Sequence, residues 1–356
     1  MNSTPILRAP DATFELLLSA LRWPQNDGSR AAIESAVRDG VDWRGFLDLA
    51  NRHRVGPLVS NALLSSGAAV PEAMLELLRE TQRNALFAEM QASVEFARVE
   101  RRLRSEGLAP VILKGPALSL RAFGQLGLRT YRDLDLLIAA EQFDAGQRAL
   151  TDLGYDLVEP NTGPDDFPRW SLQHKDAAFR HRNDGRLIEL HWRLFDNSSL
   201  TTLPDEPVEL GLPPLDKAHV LSLEADFEYL CLHGALHGWA RLRWLADLNA
   251  LLPQIDDGVL QRLAAAQPAI AQALILCRDL LGATFSPTVQ ASIDRSWRGR
   301  WMAGLAWREI VRSGPRELES VPLGSTVKNL SHYALVNNFR GLIDELHFDL
   351  TATRRH

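Results

Sequence analysis

The order of hydrophobic and polar positions divides the chain into helical, mixed and helical stretches. From residue 13 to about residue 106 the apolar spacing is helical. Leu17, Leu18, Leu21 and Trp23 open the first stripe, and further helices are predicted over 43–51 and 56–64. Pro71 to Arg104 contains no interior glycine or proline, and Leu75, Leu78, Ala85, Leu86, Met90, Val94, Phe96 and Val99 recur at roughly helical intervals. Pro71 suits a first turn. Arg101, Arg102 and Arg104 complement the dipole at the far end, and Gly107 supplies a stop.

Between about 108 and 200 the pattern shortens. Pro110–Leu113 reads as a buried strand, Pro116–Phe123 as a short helix, Asp133–Ile138 as a second strand, and Glu141–Leu153 as a helix closed by Gly154. Two strand-like runs, Ala177–His181 and Leu187–Trp192, flank Asn183-Asp184-Gly185, a hairpin signal. From about 215 onward the spacing is helical again. One continuous helix is predicted over 227–252, and a second over 260–281 with a break at Pro268. The expectation is therefore an α+β fold, a small mixed sheet with flanking helices embedded between N-terminal and C-terminal helical regions. The predicted boundaries are 1–107, 108–214 and 215–356.

The length of 356 residues suits two or three domains and a sizeable core. With 46% hydrophobic and 24% charged residues, wholesale disorder is excluded. No apolar run approaches the roughly 18–20 residues that span a bilayer, and no basic start precedes a long apolar run, so no cleaved signal is expected. Cys231 and Cys277 are too few for a disulfide framework or a cysteine-rich zinc site. A soluble cytoplasmic protein with no membrane partner is expected. The net charge of -6 disfavours a broad nucleic-acid-coating surface. Lysine occurs only at 114, 175, 217 and 328, which gives a lysine inside a motif added weight.

Three short motifs carry candidate chemistry. Leu113-Lys114-Gly115-Pro116-Ala117 runs a strand through a glycine turn into a helix, an arrangement that turns backbone N–H groups toward phosphate. In Asp133-Leu-Asp135-Leu-Leu-Ile138, the period of a strand puts both carboxylates on one face. Adjacent carboxylates repel unless a cation neutralises them, and hard oxygen ligands suit Mg²⁺ or Mn²⁺. In Ile188-Glu189-Leu-His191-Trp192, Glu189 and His191 share a face. A glutamate within an apolar strand calls for a partner or a metal, so Glu189 is a candidate third carboxylate. His191 is a candidate supporting donor or phosphate contact. Each motif also has a purely structural reading: a turn, a solvated strand start, a satisfied strand histidine.

Together these pieces resemble the DNA polymerase beta-like nucleotidyltransferase superfamily. More closely they resemble its uncharacterised nucleotidyltransferase family, which reads Leu-Lys-Gly, then Arg-x-x-x-Asp-Ile-Asp-Leu-Leu-Val, then Ile-Asp-Leu-His-Trp. The matching residues are Leu113-Lys114-Gly115, Arg129 with Asp133 to Ile138, and Ile188 to Trp192. Downstream, His233, His237, Trp239, Arg241, Trp244 and Asp247 match that family's helical segment. The resemblance spans roughly residues 80 to 255. It departs at Pro116, where the superfamily has serine, and at Glu189, where the shorter aspartate is usual.

The resemblance implies transfer of a nucleoside monophosphate from an NTP, with Mg²⁺ or Mn²⁺ held by Asp133, Asp135 and Glu189. Lys114, Gly115, Arg129 and Arg132 are candidates for phosphate binding. His191, His233 and His237 are candidates for substrate contact or support, and Asp247 is expected to pair with Arg241 or Arg243. The acceptor would be a small molecule, peptide or protein. Two alternatives stay open: a nucleotide-sugar donor at the same Asp-x-Asp site, and a non-catalytic nucleotide-binding module.

Overall fold

The computed structural model describes residues 7, 9–160, 167–197, 200, 207–312 and 334–335. Five helices come first: α1 (Ala12–Ala20), α2 (Asp27–Arg38), α3 (Trp43–Arg52), α4 (Gly56–Ser66) and α5 (Glu72–Ser105). The middle of the chain forms β1 (Val111–Ile112), α6 (Gly115–Phe123), β2 (Asp133–Leu137), α7 (Phe143–Asp152), β3 (Tyr155–Glu159), α8 (Phe167–Gln173), β4 (Asp176–His181), β5 (Leu187–His191), β6 (Val208–Leu212) and β7 (Leu215–Val220). Six helices follow: α9 (Leu223–Leu236), α10 (Leu242–Leu251), α11 (Asp257–Ala266), α12 (Pro268–Leu281), α13 (Pro287–Arg295) and α14 (Trp297–Ile310), with a 3-10 turn at Leu252–Gln254 between α10 and α11. The fold is α+β, as the hydrophobic pattern predicts. Among the described residues no helix is long and apolar enough to cross a membrane.

The described residues group into two compact units. One comprises the chain up to Phe87, Arg121–Thr130 and the residues from Phe227 onward; the other comprises Ala88–Leu120 and Tyr131–Asp226. The first unit is helical. Its early helices are started by side chains that accept otherwise unpaired N–H groups: Asp11 on Phe14, Asn26 on Ser29 and Asp42 on Gly45. The apolar α12 is buried along most of its length, with Ile270, Ala271, Ala273, Leu274 and Leu276 inaccessible to solvent or nearly so. The break expected near Pro268 falls between α11 and α12, with Pro268 at the first position of α12.

The predicted continuous helix over 227–252 is two helices instead. Gly238 and Trp239 both adopt left-handed backbone, with φ of 58° and 54°. The Trp239 ring is fully buried over Gly234, where an added Cβ would stand 2.8 Å from Trp239 Cε3. Burial of the indole against a residue without a side chain offsets the backbone strain, and the chain turns back into α10.

The second unit is built on a seven-stranded sheet of order β3-β4-β5-β2-β1-β7-β6. The β1–β7 and β2–β5 pairs are parallel; the remaining pairs are antiparallel. The predicted hairpin is the β4–β5 pair. The predicted helical region from 215 begins later than expected, because Leu215–Val220 is strand β7. Leu134, Leu136, Ile188 and Leu190 join Ala92, Phe96, Val99 and Leu103 of α5 in one apolar core. Gly146 lets α7 approach this core closely: an added Cβ would lie 3.0 Å from Leu190 Cδ2 and 3.1 Å from Ile138 Cδ1. Packing one face of β2 and β5 leaves the other face for polar side chains.

Candidate cation and phosphate site

The site grows from the register of two parallel strands. Asp135 of β2 lies opposite Glu189 of β5, and Leu137 lies opposite His191. On the other side of β5, His191 lies opposite Asp176 at the start of β4. Three strands thus bring Asp135, Glu189, His191 and Asp176 together while Leu134, Leu136, Ile188 and Leu190 face the core. The N–H of Leu113 donates to the Asp135 carbonyl at 3.0 Å, which holds the Lys114-Gly115 turn beside β2. Gly115 begins α6 with φ +63°, and a Cβ there would meet nothing closer than 3.7 Å. Conformation rather than crowding therefore selects glycine.

The imidazole of His191 is the centre of the cluster. Its Nε2 lies 3.3 Å from Asp135 Oδ1, 3.5 Å from Glu189 Oε2 and 3.7 Å from Asp176 Oδ2. His191, Asp135 and Asp176 are buried, whereas the Glu189 side chain is 29% exposed and gives the cluster its opening to solvent. Lys114 Nζ stands 3.7 Å from Asp135 Oδ1, and the Lys175 ammonium is paired with Asp176.

Burial opposes ionisation of Asp135, but the Lys114 charge, the His191 hydrogen bond and the Lys175 charge hold its carboxyl well below the usual range. Burial and Lys175 push His191 toward the neutral form. The contacts to Asp135, Glu189 and Asp176 outweigh them and raise its pKa. These carboxylates therefore favour positive charge at the centre of the cluster. Asp135, Glu189 and His191 each offer one ligand atom, all within 4.8 Å of one another. Two carboxylate oxygens and an imidazole on a partly open face fit a divalent cation.

Asp133 shares the strand face with Asp135 and is half-buried, but stands outside this tight group. Arg132 is exposed and lines a cavity of about 160 Å³ with Glu95, Tyr131, Leu134 and Arg186, on the Leu134 side of β2. Arg129 belongs to the helical unit. Its buried guanidinium donates from Nε to Asp247 Oδ1 at 2.7 Å and from Nη2 to Oδ2 at 3.0 Å. Asp247 therefore pairs with Arg129 rather than with Arg241 or Arg243. Arg243 instead donates to the Thr130 carbonyl at 3.0 Å, and Arg241 to the Arg52 carbonyl.

His233 and His237 also lie in the helical unit, their rings 4.5 Å apart. His237 stacks on Trp244 at 5.2 Å, and His233 meets the same indole edge-on at 5.6 Å. Sequence reasoning missed Asp176 and Lys175. The available signal was a Lys-Asp pair directly before the apolar start of a predicted strand, but only the β4–β5 register puts Asp176 opposite His191.

The sequence model of a family described as uncharacterised nucleotidyltransferase matches residues 39–282, more than half of the chain, and the chain belongs to that family. No curated protein matches the sequence.

Proposed function

We propose that this chain is a divalent-cation-dependent nucleotidyltransferase. It would move a nucleoside monophosphate from an NTP to a small-molecule, peptide or protein acceptor in the cytoplasm, with neither nucleic acid nor a membrane as partner. The observation that carries this reading is the juxtaposition of Asp135, Glu189 and His191 across parallel strands, beside the Lys114-Gly115 turn, in a chain of this family.

Asp135, Glu189 and His191 would hold Mg²⁺ or Mn²⁺, with Asp133 next along the same face. The cation would supply Lewis-acid neutralisation of phosphate charge. Lys114 adds a fixed positive charge at the carboxyl end of β1, and the Gly115 turn brings a helix N-terminus to the same place. Pro116 removes one backbone donor from that turn, so Lys114 carries more of the phosphate recognition. Glu189 is the solvent-facing carboxylate and accepts the proton of the acceptor hydroxyl. The acceptor oxygen then forms a bond to the α-phosphorus as the bond to the bridging oxygen breaks. Pyrophosphate leaves with that electron pair.

Thermal stabilisation by the four NTPs and by UDP-sugars, each with and without Mn²⁺, tests the reading in wild type and Asp135→Asn. A ligand at 100 times its Kd stabilises by about 2.7 kcal/mol. The expected result is Mn²⁺-dependent stabilisation by an NTP that Asp135→Asn loses. Stabilisation by a UDP-sugar alone would turn the reading to glycosyl transfer. No stabilisation by any nucleotide would overturn the nucleotide-donor assignment.

A further inference from the structure

Two of the chain's four lysines flank one carboxylate cluster, in a protein whose other basic side chains are overwhelmingly arginine. Lys114 reaches Asp135 and Lys175 is paired with Asp176, so each ammonium serves a different buried carboxylate. A compact ammonium on a flexible stem can exchange one oxygen partner for another, which a planar guanidinium locked in a fork does less readily.

The surroundings of Lys175 keep it at the site. Its N–H donates to Asp196 Oδ1 at 2.7 Å, its carbonyl accepts from the Trp192 N–H at 2.9 Å, and the Trp170 indole donates to the Asp176 carbonyl at 2.9 Å. The backbone of residues 175–176 is thus fastened on both sides. The Lys175 side chain is still 21% exposed, whereas that of Asp176 is 3% exposed. The anchor is buried and the lysine side chain is partly exposed. Three carboxylates, Asp135, Asp176 and Glu189, surround the His191 imidazole, and the Lys114 and Lys175 ammonium groups stand beside them. A divalent cation bound among these carboxylates would compete with the ammonium groups for them, and a polyphosphate is the anion that the cation and the released ammonium groups together attract.

We infer that Lys175 is a second phosphate-binding residue, held by Asp176 while the site lacks a cation and transferred to the phosphate chain of the donor when a cation takes over the carboxylates. This inference rests on the cation and nucleotide reading above, and it makes an unusual demand on one side chain. Lys175 competes with the cation for carboxylate charge but cooperates with it in binding phosphate. Removing the ammonium must therefore move two affinities in opposite directions.

The test measures the Kd of Mn²⁺ alone, from the free Mn²⁺ resonance signal, and the Kd of inorganic triphosphate at saturating Mn²⁺, by calorimetry. Full-length wild type, Lys175→Met, Lys175→Arg and Asp135→Asn are compared. Lys175→Met is expected to bind Mn²⁺ more tightly and triphosphate about tenfold more weakly, the scale of one hydrogen bond to a charged group. Lys175→Arg should restore much of the triphosphate affinity. A purely structural role for Lys175 would weaken both affinities together, and that result, or an unchanged triphosphate Kd, overturns the inference. Should Lys175→Met fail to fold, a triphosphate Kd in Lys175→Arg equal to that of Lys175→Gln would overturn it equally. Wild type that binds Mn²⁺ in an Asp135-dependent manner but ignores triphosphate would refute the phosphate role while leaving the cation site standing. Wild type that binds no Mn²⁺ would refute both.

Discussion

Replacing Asp247 by alanine leaves the Arg129 guanidinium buried without its carboxylate. Arg129 is 6% exposed and Asp247 2%, and two parallel hydrogen bonds of 2.7 and 3.0 Å join them. Neither partner can rehydrate without opening the helical unit. Breaking a buried pair by removing one partner costs about 3–5 kcal/mol. For a unit of 150–250 residues each kcal/mol corresponds to about 2–4 °C, so the melting temperature should fall by roughly 6–20 °C. Arg129→Met/Asp247→Leu removes both charges and should recover most of the loss, since an apolar replacement of similar volume avoids the stranded charge. Scanning calorimetry or circular dichroism would measure the shifts, and nucleotide titration would follow on variants that remain folded. The experiment separates two roles for Arg129. As a clamp, its loss lowers stability first; as a phosphate ligand, it lowers nucleotide affinity at unchanged stability. An Asp247→Ala protein that melts within about 2 °C of wild type would refute the clamp.

Three further outcomes are expected. Burial and the Arg52 and Arg241 charges push the His53 pKa down to about 3, and its Nδ1 accepts the Leu242 N–H at 3.3 Å. The unfolded chain, with an ordinary histidine near pH 6.5, then binds the extra proton, so stability falls as pH drops below that value by about 1.4 kcal/mol per unit. Urea titrations at pH 7 and pH 5 should show that wild type loses more stability on acidification than His53→Gln does. Gly234→Ala drives a Cβ into the Trp239 ring and should cost about 1–3 kcal/mol by overpacking; an unchanged denaturation midpoint would contradict that packing. Asp135→Asn should keep the fold while losing Mn²⁺ binding, and a Kd within twofold of wild type would remove Asp135 from the ligand set.

What the sequence made legible depended on whether the determining contact is local. The β2 and β5 faces could be read from alternation alone, because Leu134 and Leu136 must enter the core if Asp133 and Asp135 share the other face. The long helix α5 and the β4–β5 hairpin were similarly local, the first marked by uninterrupted apolar spacing and the second by Asp184-Gly185. Strands β3, β6 and β7 were not recognised. Val208 and Glu209 are exposed and β7 lies beside β1 from far along the chain, so neither segment advertises its partner. The break after α9 was hidden for another reason. Trp239 takes a left-handed backbone conformation that its residue type disfavours, and only the tertiary seat over Gly234 makes it acceptable.

The same distinction explains the site. Asp-x-Asp could be read because its two carboxylates are two residues apart, yet the structure gathers only Asp135 of that pair into the tight cluster and completes it across strands. The register that puts Glu189 opposite Asp135 also puts Asp176 opposite His191, and a slip of β5 by one residue would turn Glu189 and His191 into the core. Leu134, Leu136, Ile188 and Leu190 therefore do more than stabilise the sheet. By making any other register costly, they set the distances among the polar groups on the opposite face, so the geometry of the site depends on residues that pack away from it.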